Sequence, residues 1–186
     1  MNTYYFDNGA TTKVKEEVIK EMLPYFSEHY GNPSSVYALA RDAKKAIEEA
    51  REKVANLIGA KKHEIYFMGC GTEADNTALK GIAYANRKKG NHIITTKIEH
   101  HAILETCEFL ETQGFGVTYL NVDSNGFIDL KQLQRSITDK TILISIMFAN
   151  NEIGTIEPIE DIAQIANKNN IIFHTDSVQA VRKCKD

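Results

Sequence analysis

With 186 residues the chain is long enough for one sizeable domain, and 42% hydrophobic with 25% charged residues excludes the low-hydrophobicity, high-charge composition of disorder. The 22 Lys and Arg against 25 Asp and Glu give a net charge of -3, and the basic residues are spread along the chain, which argues against a nucleic-acid footprint. The opening MNTYYFDNGATT has no basic region leading into an apolar run, and no stretch approaches a bilayer span, so the expected address is the cytoplasm.

In chain order, helical periodicity is clear over residues 13–27 and again over 38–58, where Ala43, Ile47, Ala50, Val54 and Leu57 recur at spacings of three and four. Short apolar runs bounded by turn residues then predict buried strands at 64–68, 92–96, 117–120, 142–147 and 171–174. Helical stretches lie between them, at 72–88, 102–112, 130–137 and 159–167. This alternation predicts an α/β fold with a mainly parallel sheet flanked by helices, and such sheets bind ligands at the carboxyl ends of their strands.

Most of these strand ends carry unusual residues. Gly69-Cys70-Gly71-Thr72-Glu73-Ala74 runs from a predicted strand into a helix, where free N–H groups and the helix dipole favour a phosphate. Thr72 can bond that phosphate or simply cap the helix. The segment also fits the dinucleotide pattern G-x-G-x-x-A, with Glu99 placed as a ribose-binding acid, so a Rossmann-like domain is a competing reading.

His100 and His101 follow the next strand, either as a ring-stacking or proton-transfer pair or as a solvated pair at a helix start. No third ligand at suitable spacing supports a metal site there. Asn150 and Asn151 follow the fourth strand and Asp176 the fifth, where the alternatives are a turn and a helix cap. Together, a phosphate loop, a planar ring, an amide and a carboxylate at one sheet edge match what pyridoxal phosphate requires.

Asp7-Asn8-Gly9-Ala10-Thr11-Thr12, Gly31-Asn32-Pro33-Ser34-Ser35, Gly71-Thr72-Glu73, Glu99-His100, Ala149 to Gly154 and His174 to Val181 occur in one order along the chain. In that order and spacing the chain resembles the cysteine desulfurases, class V aminotransferases of fold type I that use pyridoxal 5'-phosphate. The resemblance implies an N-terminal segment at residues 1–12 and, over 13–186, an incomplete cofactor-binding large domain. It implies that Gly71 and Thr72 hold the phosphate, that His100 stacks on the pyridine ring, that Asn151 and Gln179 bond its oxygen side, and that Asp176 pairs with the ring nitrogen.

The implied reaction takes sulfur from L-cysteine, leaving L-alanine and a protein persulfide for iron–sulfur scaffolds or other sulfur acceptors, in a homodimer. It also needs a Schiff-base lysine in an S-x-H-K motif and a cysteine on a mobile loop. Both are expected beyond Asp186, since none of the 22 basic residues has that context and Cys70, Cys107 and Cys184 do not match the nucleophile's position. The odd number and wide spacing of these cysteines suit neither a disulfide framework nor a metal knuckle, so they read as reduced thiols.

The sequence departs from the family pattern at Tyr37 for histidine, at Met68 and Gly69 for hydroxyl residues, and at Arg182 for glycine. The expectation is therefore a chain that binds the cofactor without turning over substrate. The alternative is a non-catalytic remnant that serves as a dimerising or binding module.

Overall fold

The computed structural model describes residues 4–181. Arg182 and Cys184 lie outside the described residues. The chain falls into two compact units, Met1–Phe67 and Met68–Asp186.

The first unit holds α1 (Glu16–Met22), α2 (Pro24–Ser27), α3 (Ala38–Leu57) and a 3-10 turn at Lys62–Glu64. The single helix expected over 13–27 is two, because Pro24 has no N–H to continue α1 and instead opens α2 as its first residue. Helix α3 matches the predicted span, but its buried positions are the small Ala40, Ala43 and Ala55, while Ile47, Val54 and Leu57 from the predicted apolar stripe remain exposed. Gly31 packs so closely on this helix that an added Cβ would meet Ala40 N at 2.8 Å.

The strand expected at 64–68 does not form. Residues 62–64 turn instead, with Glu64 accepting a hydrogen bond from Lys61 N–H at 2.7 Å. No strand among the described residues pairs with 65–68, so only the burial of Ile65 remains of the apolar run, and Tyr66 stays 75% exposed. Apolar character alone does not make a strand without a partner to accept its backbone bonds.

The second unit begins with α4 (Gly71–Asn86) and continues β1 (His92–Thr96), α5 (His101–Thr112), β2 (Gly116–Leu120), α6 (Leu130–Ser136), β3 (Thr141–Ser145), α7 (Ile159–Lys168) and β4 (Ile172–His174). All predicted helices and strands of this unit are present within a few residues. The four strands are parallel in the order β2-β1-β3-β4.

Side-chain alternation along each strand splits the core into two layers. Ile93 and Leu143 face Leu79 and Ala83 of α4 and Ile103, Cys107 and Leu110 of α5. Ile94 and Ile144 face Leu133 of α6 and Ile162 and Ile165 of α7. Because helices cover both faces, strands β1 and β3 carry apolar residues on both sides at Ile93, Ile94, Leu143 and Ile144, and every residue of β3 is buried.

Leu143→Ala, at the fully buried centre of β3, is expected to cost about 2–5 kcal/mol in denaturant unfolding, whereas Ile172→Ala on the edge strand β4, where the side chain is partly exposed, costs under about 1 kcal/mol. Equal losses at the two positions would contradict the layered core.

Candidate functional site

Since all four strands run the same way, their carboxyl ends and the loops that follow lie along one edge of the sheet. The backbone pairing of β3 with β4 continues past both strands, with Ile146 N–H donating to His174 O at 3.1 Å and Phe148 N–H to Asp176 O at 2.9 Å. This extension fixes the main chain of Asp176 beside the β3 exit. Its carboxylate accepts a hydrogen bond from Val178 N–H at 2.9 Å, which orients the side chain in a tight turn.

The N-terminus of α4 meets the same segment. An added Cβ on Gly71 would come within 3.3 Å of Val178 Cγ2, so glycine permits the close approach of the helix start to the turn after β4. The N-cap is Cys70, which makes no side-chain capping bond, and Thr72 is the second helical residue. Thr72 is therefore no cap, and its hydroxyl and the first amides of this 16-residue helix are free of capping bonds. Glu73 bends back to accept from Gly69 N–H at 2.6 Å and so closes the loop on itself.

His100 is the N-cap of α5, with Nδ1 accepting from Ala102 N–H at 3.1 Å. A backbone amide can only donate, so Nε2 is the nitrogen that carries the N–H and the exposed ring face is held in one orientation. His101 lies edge-on to it, with ring centroids 6.2 Å apart, and among the described residues no cluster has metal-ligand character.

The β3 exit assigns its two asparagines different tasks. Asn150 is buried; its amide donates to Ile98 O at 2.9 Å and its carbonyl accepts from Glu152 N–H at 2.8 Å and Ile153 N–H at 3.0 Å. Asn151 is exposed on the same turn, with its side chain available to a ligand. Gln179 is half-buried in the turn after Asp176, where Ala180 N–H donates to Ser177 O at 2.9 Å.

Three further residues are brought to this edge that sequence reasoning left without a role. Asp75, one turn into α4 and buried, has Oδ1 3.6 Å from His174 Nε2. His174 Nδ1 is bonded to Ser145 Oγ at 2.9 Å. Burial pushes the Asp75 carboxyl up to about 6, the Asp176 carboxylate adds to this, and His100 offsets part of it. Burial likewise pushes His174 down, against the pull of Asp176.

Burial thus disfavours the charged form of both groups. The signal for Asp75 was its spacing of four from Gly71, which puts it on the same helix face. His174 lies in the run His174 to Val181, and its residue type alone does not reveal its pairing with Ser145.

Glu99, the candidate ribose acid, is 6% exposed and turned inward, bonded by Thr96 Oγ1 at 2.8 Å and Met147 N–H at 3.0 Å. It cannot reach a ribose from there, and the segment before Gly69 is not a strand, so both supports of the dinucleotide reading are gone. Cys107 is fully buried in the α5 layer, where burial pushes its thiol up to about 12 and leaves it inert. Cys70 is exposed beside Gly71.

The donor set suits a phosphorylated planar ring: an uncapped helix start with a glycine cradle, an oriented imidazole face, an exposed amide, and a carboxylate fixed by its own turn. Asp75 supplies a pH test of this packed edge. A carboxyl whose folded pKa is raised contributes stability that is full below its ordinary value of 3.8 and is lost as pH rises through about 6. Asp75→Asn is therefore expected to gain stability relative to the parent as pH rises from about 4.5 to 7. Denaturant midpoints measured across that range check it, and a pH-independent difference would contradict it.

Comparison with known proteins agrees with this geometry. Residues 4–185 match the family described as Aminotransferase class-V. The chain is 60% identical over 177 residues to "Cysteine desulfurase IscS" of Clostridium botulinum, covering 95% of this chain and 45% of that protein. It is 59% identical to the protein of the same name from Methanosarcina thermophila, covering 95% and 44%. Among solved structures, a "NIFS-like protein" superposes with a TM-score of 0.92 at 46% identity, covering 95% of this chain and 49% of that one. "SspA in complex with cysteine" gives 0.92 at 43% identity, covering 96% and 51%.

The chain spans about half the length of the curated relatives it matches. The fold is that of the N-terminal part of the large domain of fold type I pyridoxal-phosphate enzymes. The chain belongs to the class V aminotransferase family.

Proposed function

We propose that this chain forms the cofactor-binding part of a pyridoxal 5'-phosphate-dependent cysteine desulfurase, acting on L-cysteine in a cytoplasmic homodimer that passes sulfur to an iron–sulfur scaffold or another acceptor. The observation that carries the reading is the meeting of Gly71 with the Asp176–Gln179 turn at the edge that also bears His100 and Asn151. The relatives' printed names and the bound cysteine in one solved neighbour supply the substrate class. In this reading residues 13–186 belong to the large domain and residues 1–12 form a separate leading segment.

Each residue has a role that follows from its place. The Gly71 and Thr72 amides and the Thr72 hydroxyl bind the phosphate at the positive end of α4. His100 offers its ring face for stacking, with its orientation set by the Ala102 amide. Asn151 and Gln179 donate hydrogen bonds to the ring oxygen. Asp176, already oriented by Val178 N–H, keeps a proton on the ring nitrogen through a charge-assisted hydrogen bond. Pyridoxal phosphate, when bound, supplies the electron sink for labilising bonds at the substrate's α-carbon.

Binding is best measured with pyridoxine 5'-phosphate, which lacks the aldehyde that would condense with surface lysines. Asp176→Asn keeps an acceptor for Val178 N–H but removes the charge, and it is expected to weaken binding about tenfold or more, since a hydrogen bond to a charged group is worth about 1.5–3 kcal/mol. Cys70→Ala is expected to change binding less than about twofold. Equal effects from the two substitutions would overturn the assigned roles.

Turnover is expected to separate from binding. No lysine of this chain lies in S-x-H-K, so alanine is expected from L-cysteine only when a polypeptide carrying that lysine and the loop cysteine is supplied in cis or in trans. Alanine release by this chain alone, above a cofactor-only control, would contradict the assignment.

A further inference from the structure

The loop that carries His100 is tied down from both sides. Lys97 N–H donates to Leu120 O at the end of β2 at 3.1 Å, and Asn150 donates to Ile98 O at 2.9 Å. Glu99 makes the third tie. Its Oε1 accepts from Met147 N–H on the β3 exit and from Thr96 Oγ1 at the end of β1. Its Oε2 is buried and has no partner.

A carboxylate in that place would bury a charged oxygen without a donor, which costs far more than burying the acid. The ionisable groups facing it do not relieve this. They are Asp176 past β4, Glu157 past β3 and the Cys107 thiol on α5, and none supplies a positive charge. We infer that Glu99 is a positioning residue that, held as the neutral acid, latches the loop bearing His100 to the β3 exit, so that the imidazole face stays aimed along the sheet edge. The carboxyl is pushed up to about 8, first by burial and then by Asp176 and Glu157, against the pull of the Met147 amide and the Thr96 hydroxyl. Above that pH the ionised Oε2 can be solvated only if Glu99 leaves Met147, and the loop then keeps only its ties through Lys97 and Ile98.

The role assigned to His100 rests on the function proposed above, but the latch does not. The test follows the Glu99 carboxyl carbon and the His100 ring proton by NMR across pH 6 to 9 in the unliganded 186-residue chain and in Glu99→Gln and Glu99→Ala. In the parent, Glu99 is expected to titrate near pH 8, with a step in the His100 resonance at the same midpoint. Glu99→Gln retains a carbonyl for Met147 N–H and Thr96, so it is expected to abolish the step near pH 8.

Glu99→Ala is expected to displace His100 at every pH and to weaken pyridoxine 5'-phosphate about tenfold, with Glu99→Gln within about threefold of the parent. If the alanine variant does not fold, the parent and the glutamine variant decide the matter. A Glu99 carboxyl already fully ionised at pH 6, or a His100 step near pH 8 that persists in Glu99→Gln, would overturn the latch. If no protein binds pyridoxine 5'-phosphate while His100 behaves as expected, the latch stands and the cofactor reading falls.

Discussion

The site depends on the parallel pairing of β1, β3 and β4. A parallel sheet delivers the carboxyl ends of its strands to one edge and starts the following helices there, so their free N–H groups point the same way. In this chain the pairing runs beyond the strands themselves. The bonds from Ile146 to His174 and from Phe148 to Asp176 carry the register into the loops, and Asp176 is placed by main-chain bonds before its side chain plays any part. Gly71 then lets the start of α4 approach Val178 in the turn after Asp176 closely.

Such an edge gathers acids in a space where burial raises the cost of charge. Asp75 and Glu99 are both pushed up, and Asp176 contributes to each shift. The consequence is a division of labour among three carboxyls. Glu99, buried with one oxygen unpartnered, is held neutral as a tie between loops. Asp75 sits near the balance point beside His174. Asp176 is half-buried and bonded by Val178 N–H, and in the proposed function it is the one that offers a negative charge to a basic ring nitrogen.

Much of the second unit was legible in the sequence, since strands buried on both faces read as apolar runs and their helices repeat at three and four. The run at 64–68 looked the same and failed, because a strand is defined by its partner and local residues cannot reveal whether one is present. The motifs point to Gly71, Thr72, His100, Asn151, Asp176 and Gln179; the first two lie at the start of α4 and the others in the segments after β1, β3 and β4. What could not be read was which way an acid turns. Glu99 follows the second predicted strand as a ribose-binding residue would, but the Met147 amide draws it inward. Asn150 and Asn151 are identical in type and adjacent, and only the turn geometry sends one into the scaffold and leaves the other exposed.

In the proposed function, one sheet edge, built from three strand ends and one helix start, holds a phosphorylated pyridine. Backbone amide shift mapping with pyridoxine 5'-phosphate tests it most directly, because it locates a ligand without relying on turnover. The account predicts saturable shifts that share one dissociation constant at Gly71 to Glu73, His100, Asn151 and Asp176 to Gln179. Saturable shifts confined to the basic hollow formed by Arg51, Lys62 and His63 in the first unit would contradict it, as would no saturable shift at the sheet edge.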